Sequence, residues 1–147
     1  MRWSEEEYQE FLQRPSERIE KEKKRVRTNR QLEYKLQKDV ASWLKYQYPN
    51  LLWTASAGGM RTSVGTGKKM KLMGYRKGCP DIMIFQANDK FYGLFIELKI
   101  KGNSQSPEQE QWQVQAEKNG YKYALVYSFN EAVETIKNYL GMRGIKY

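Results

Sequence analysis

The sequence predicts a mixed α/β domain in which helices flank a central sheet. Three observations carry that expectation. Two short apolar runs, Ile82-Met83-Ile84-Phe85 and Gly93-Leu94-Phe95-Ile96, stand on either side of the turn-forming Ala87-Asn88-Asp89-Lys90, which is the pattern of a β-hairpin. Three other stretches open on Thr28, Ser106 and Ser128, each placed to cap a helix. At 147 residues the chain has length for one domain, with room for an appendage.

Residues 1–27 read as a charged helical appendage to a domain of residues 28–147. Ser4-x-x-Glu7 is a capping box ahead of a short helix carrying Tyr8, Phe11 and Leu12. Pro15 is expected to interrupt that helix. Ser16 to Arg27 is dense in charge, with Ile19 and Val26 as its only aliphatics. It reads as a solvated helix or linker, with a basic arm on phosphates as the alternative. Thr28-x-x-Gln31 then caps a helix reaching to about residue 47. On it Leu32, Leu36, Val40, Trp43 and Leu44 recur at helical spacing and should pack on the core. Pro49-Asn50 ends it, and Leu51 to Ala55 is a short strand.

Residues 56–78 are rich in Gly and Lys. Such a stretch is long for a structureless loop, so it is functional or partly ordered as a hairpin. Gly67-Lys68 does not make a P-loop: Thr62 stands where the first glycine belongs, and Lys69 where Ser or Thr would meet Mg²⁺. Strands follow at Asp81–Phe85 and Phe91–Ile100. Ser106 and Pro107 open a helix that Gly120 ends. Tyr121–Tyr127 is a strand with Tyr121, Tyr123, Leu125 and Tyr127 on one side. Ser128-x-x-Glu131 caps a last helix carrying Ala132, Val133, Ile136, Tyr139 and Leu140, which Gly141 ends.

Composition narrows the chemistry. Histidine is absent, and 26 Lys and Arg against 17 Asp and Glu leave a formal charge of +9. Without histidine there is no Ser-His-Asp triad, no Cys-His pair and no histidine-bound zinc. A metal must sit among carboxylates, amides and carbonyls, which suits hard ions. The lone Cys79 allows no disulfide within the chain and fits a reducing interior. No apolar run has the roughly 18–20 residues of a membrane helix, and Met1-Arg2-Trp3-Ser4-Glu5-Glu6-Glu7 is too acidic for a signal peptide. A soluble, cytoplasmic protein is expected. The positive charge favours nucleic acid as partner over a lipid surface, for which a broad apolar face is lacking.

The chemistry centres on Gly78-Cys79-Pro80-Asp81 and Glu97-Leu98-Lys99. On a strand Glu97 and Lys99 share a face. The hairpin can bring Asp81 beside Glu97, so two carboxylates and a lysine converge at one sheet end. Close carboxylates repel and call for a cation between them. That trio describes a Mg²⁺ or Mn²⁺ site where a bound water becomes more acidic and phosphate charge is steadied. Lys99 would orient the nucleophilic water or touch the phosphate. Upstream, Arg61, Lys68, Lys69, Lys71, Arg76 and Lys77 lead directly into Asp81 and are candidates for holding a nucleic-acid backbone. Glu33 and Gln37 share one helix face, and Gln37 is a further candidate for nucleic-acid contact. Gln109 stands three after Ser106, where it can complete a capping box. Trp112 reads as core rather than as a base-stacking residue, and Cys79 as inert packing.

Pro80-Asp81 with Glu97-Leu98-Lys99 resembles the PD-(D/E)xK nuclease signature, and more narrowly its VRR-NUC branch of small virus-type modules. Several further features match that branch in order: Glu33 and Gln37; Gly58-Gly59-Met60-Arg61; Lys77 to Asp81; Gly93 to Lys99; Ser106-Pro107-Glu108-Gln109 with Trp112; and Gly120-Tyr121. The resemblance spans roughly residues 30–140. Cys79 departs from it, since a bulkier apolar residue commonly precedes Pro-Asp. The resemblance implies a restriction-endonuclease-like fold and metal-dependent phosphodiester cleavage. It implies metal on Asp81, Glu97 and the Leu98 carbonyl, with Glu33 contributing, Lys99 assisting catalysis and Gln109 nearby. Stand-alone members resemble Holliday-junction resolvases and act as homodimers. The expectation is therefore a Mg²⁺-dependent, structure-selective DNA endonuclease, homodimeric, acting on a branched or four-way junction in a bacterial or phage-infected cell. The rival readings are a non-catalytic basic DNA-binding accessory protein on the same fold, and a nickase or flap nuclease.

Overall fold

The structure is a computed structural model. It describes residues 4–56 and 63–141, with residues 13–16 described in their backbone alone. The chain divides into two compact units, Met1–Leu32 and Glu33–Tyr147.

The first element, α1, runs Glu5–Gln47 as one helix of 43 residues. Ser4 and Glu7 form the expected capping box, with the Ser4 N–H donating to Glu7 Oε2 at 2.8 Å and the Glu7 N–H to Ser4 Oγ at 3.2 Å. Glu5, Glu6 and Glu7 fill the first turn, where negative charge suits the helix dipole. Two expectations are corrected here. Pro15 does not interrupt the helix. It removes one backbone donor, but the straight-chain Glu, Gln, Lys and Arg around it favour helix. Thr28 starts no new helix either: its Oγ1 donates back to the Lys24 carbonyl at 3.0 Å, the bond of a mid-helix threonine. Leu32, expected in the core, is 48% exposed.

The second unit holds a four-stranded sheet in the order β1-β2-β3-β4, with β1 Trp53–Ala55, β2 Ile82–Ile84, β3 Leu94–Leu98 and β4 Lys122–Val126. The first two pairings are antiparallel and β3–β4 is parallel, so the sheet is mixed, as expected. The parallel step needs a crossover, and α3, Pro107–Lys118, supplies it. The closing helix α4 is Phe129–Gly141. Every residue of β3 is buried, which matches its nearly continuous apolar run.

One sheet face carries the main core. Ile82, Ile84, Leu94, Ile96, Leu98 and Val126 meet Val40 and Leu44 of α1 and Ala132, Ile136 and Tyr139 of α4. Each fully buried Ile or Leu is worth on the order of 2–3 kcal/mol. On the other face, Phe95 and Tyr123 pack with Ala116 of α3 and with Tyr121. The β2–β3 connection is fixed by Asn88, whose Oδ1 accepts from the Lys90 and Phe91 N–H groups at 2.9 and 2.8 Å.

The Gly- and Lys-rich stretch contains a helix, α2, Val64–Leu72, with Ser63 as N-cap. The hairpin allowed for it is absent among the described residues. No residue of α2 is buried. Arg61, with Gly58, Gly59 and Met60, lies outside the described residues. No described helix is long and apolar enough to cross a membrane.

Candidate active site

The site is built where β2 begins and β3 ends. Pairing of Ile82 with Ile96 sets Asp81 opposite Glu97. The run before Asp81 is pinned onto the start of α3. Gly78 has φ +87°, and a Cβ there would lie 2.5 Å from the backbone carbon and oxygen of Glu108, so only glycine fits. The Trp112 indole N–H donates to the Lys77 carbonyl at 3.1 Å. Lys77 Nζ pairs with Glu108 Oε1 at 2.8 Å, and Pro80 is fully buried. The Asp81 carbonyl accepts from the Ser56 N–H at 3.0 Å and from Gln37 Nε2 at 3.5 Å.

Asp81 Oδ2 accepts from the Leu98 N–H at 2.8 Å, so the carboxylate caps the end of β3. Glu97 and Lys99 are 2% and 9% exposed, an unusual depth for two charged side chains. Lys99 Nζ lies 3.3 Å from Glu97 Oε1, and Gln109 Nε2 donates to the same oxygen. Gln109 also completes the capping box of α3 by accepting from the Ser106 N–H at 2.8 Å. The two uses weighed from the sequence therefore coexist: the cap fixes the backbone and Oε1, leaving Nε2 for Glu97. The second oxygen, Glu97 Oε2, is buried without a hydrogen-bond partner.

Electrostatics follow from this burial. Desolvation pushes the Asp81 carboxyl up to about 6, opposed by the Leu98 N–H and Lys99 and reinforced by Glu33. Desolvation and then the Asp81 charge push Glu97 up to about 8, opposed by Lys99. Two carboxylates that hold protons this strongly form a low-dielectric pocket that a cation would relieve.

Glu33 adds to the field on Asp81 and Glu97, but its Oε1 is bonded to Asn103 Nδ2 at 3.1 Å. Among the described residues, no group of three or more His, Cys, Asp or Glu side chains is gathered as a metal cage. The donor set at the pocket is Asp81 and Glu97, with the Leu98 backbone between Glu97 and Lys99. The unpartnered Glu97 Oε2 and these hard oxygen donors fit a divalent ion. Of the basic residues, Lys68, Lys69 and Lys71 are exposed on α2. Arg76 lies over the Trp112 ring, 5.3 Å from its centroid, and bonds Gln115 Oε1 at 3.3 Å. Trp112, expected in the core, is half-buried and serves as this clasp. Two contributors escaped sequence reasoning: Asn103, which holds Glu33, and the Gly78–Trp112 clasp. Both act across 30 or more residues, and no local pattern announces them.

The VRR-NUC domain family model matches residues 19–130. Among solved structures, a VRR_NUC domain protein is similar at 25% identity, over 78% of this chain and 92% of its own, with a TM-score of 0.64. No curated protein matches the chain.

Proposed function

The chain belongs to the VRR-NUC domain family, a nuclease family, and from that membership we propose that it is a divalent-metal-dependent endonuclease of branched DNA. The observation that carries the reading is the buried pair Asp81 and Glu97, with one unpartnered carboxylate oxygen, beside the nearly buried Lys99. A structural strand end has no use for two desolvated acids and a lysine.

In this reading Asp81, Glu97 and the Leu98 carbonyl would hold Mg²⁺ or Mn²⁺, with Glu33 contributing. When bound, such an ion makes a water more acidic and steadies negative charge on the phosphoryl oxygens. The chain's own residues do the rest. Lys99 holds a positive charge where the attacked phosphate gathers negative charge, and orients the nucleophile. Gln109 and Lys99 fix Glu97 through one oxygen and leave the other available. Gln37 and Ser56 hold the Asp81 backbone. Lys68, Lys69 and Lys71, with Arg61, Arg76 and Lys77, position the DNA backbone without reading sequence. The nuclease domain is residues 28–147, and residues 1–27 are its appendage. A homodimer would deliver the two nicks that resolve a four-way junction.

The test is a panel of labelled four-way junction, flap, nicked and linear duplex DNA, each with Mg²⁺, Mn²⁺ or EDTA. The expected result is cutting of the junction with either metal and none in EDTA. Binding without cleavage under every condition would replace the enzyme by a DNA-binding accessory protein. Preference for the flap or nicked substrate would reassign the target, and equal cutting of linear duplex would remove structure selectivity.

A further inference from the structure

We propose that Leu72 and Met73 form an apolar wedge that enters unstacked base steps at a DNA branch point; the proposal rests on the nuclease reading above and names the element that selects its substrate. The two side chains are neighbours at the end of α2 and are 88% and 86% exposed. Single exposed apolar residues are ordinary, but this pair sits on a helix that buries none of its residues. Only Gly67 and Met70 of α2 are half-covered, so the helix is held along one side and presents the opposite side outward.

What that side presents is specific. Lys68 and Leu72 are four residues apart, as are Lys69 and Met73, so each apolar side chain has a lysine one helical turn before it. None of Lys68, Lys69 and Lys71 pairs with an acid among the described residues. Residues 56–80 contain no Asp or Glu, and six Lys or Arg. The surface therefore suits a polyanion that also offers apolar, planar interiors. Nucleic acid with exposed bases meets both demands: phosphates take the lysines, and Leu and Met can insert between bases.

Position in the chain favours DNA over an anionic lipid surface. Met73 lies eight residues before Asp81, at most about 29 Å of extended chain. That is within one turn of duplex, about 34 Å. A wedge at a branch point would thus lie within one turn of the carboxylate pair. Insertion into intact duplex must break base stacking, whereas at a branch the stacking is already interrupted. The same two side chains therefore add affinity at a branch and little elsewhere, which makes them a selectivity device.

The experiment compares wild type with the double variant Leu72→Ser, Met73→Ser. Affinities for a four-way junction and a linear duplex are measured by fluorescence anisotropy in EDTA, with 2-aminopurine placed at the branch. The junction-over-duplex ratio should fall roughly tenfold or more in the variant. The rise in 2-aminopurine emission on binding should be lost with it. Exchanging the two residues (Leu72→Met, Met73→Leu) should keep both. An unchanged ratio in the variant, with a wild type that still cuts DNA, would overturn the wedge and leave the nuclease reading standing. A wild type that neither binds nor cuts any DNA would overturn that reading as well. If the variant keeps its ratio but loses sedimentation with anionic phosphatidylserine vesicles, the patch is a lipid contact. If it keeps its ratio but loses self-association in sedimentation velocity, the patch is a contact between copies. Either result overturns the proposal.

Discussion

Replacing Asp81 with Asn should make the protein more stable, and increasingly so as pH rises. The native site raises the Asp81 carboxyl from 3.8 to about 6, first by burial. Its folded form therefore keeps a proton that the unfolded chain releases above pH 4. The stability linked to that proton is complete below pH 4 and is lost as pH rises through 6. Each tenfold difference in proton affinity is worth about 1.4 kcal/mol, so ionised Asp81 costs the fold on the order of 3 kcal/mol at pH 8. Asn removes that cost and can still accept the Leu98 N–H through its Oδ1. It also removes the charge that helps to raise Glu97, which acts in the same direction. The gain of Asp81→Asn should be close to zero at pH 4 and reach a few kcal/mol by pH 8, on the order of 10 °C in Tm. Thermal and urea unfolding in EDTA from pH 4 to 8 reads this directly. Mg²⁺ should then raise the Tm of wild type and not of the variant. A variant less stable than wild type at pH 8, or a gain that does not vary with pH, would refute the claim that Asp81 is held as a costly buried acid.

Two other perturbations probe the frame around the site. Gly78→Ala meets the Glu108 backbone at 2.5 Å with φ at +87° and should cost about 2–4 kcal/mol. Gly74→Ala, also at positive φ but with nothing within 4 Å, should cost only about 1 kcal/mol; urea midpoints of the two variants decide. Lys99→Ala removes the cation 3.3 Å from Glu97. Because Glu97 can take a proton in response, stability should change by no more than about 1–2 kcal/mol. Cleavage in Mn²⁺ should meanwhile fall by roughly a hundredfold or more, and unfolding and rate measurements on the same sample separate the two effects.

The sheet end was legible because its logic is local. Alternation puts Glu97 and Lys99 on one face, and a four-residue turn between two apolar runs carries Asp81 back beside them. Ser106, Pro107 and Gln109 spelled out the start of α3 with its cap. What failed were punctuation signals outweighed by their surroundings. Pro15 and Thr28 stand in a long run of strong helix formers, and the helix passes through both. The Gly- and Lys-rich stretch left a hairpin open, yet Ser63 supplies a cap and α2 forms. Arg76 and Lys77 read from the sequence only as candidates for holding a nucleic-acid backbone. Their partners Trp112, Gln115 and Glu108 lie 31–39 residues away, and only the folded chain brings them near. Glu33 was assigned to the metal through family resemblance alone, and its bond to Asn103 could not be read from helix spacing.

The central question is whether the Asp81–Glu97–Lys99 cluster breaks phosphodiester bonds. Single-turnover cleavage of one end-labelled four-way junction, by wild type and by Asp81→Asn in Mn²⁺ and in EDTA, asks this most directly. Discrete product should form with wild type in Mn²⁺ alone, while the folded variant stays silent although it is the more stable protein. Equal product from the variant, or product in EDTA, would contradict the assignment.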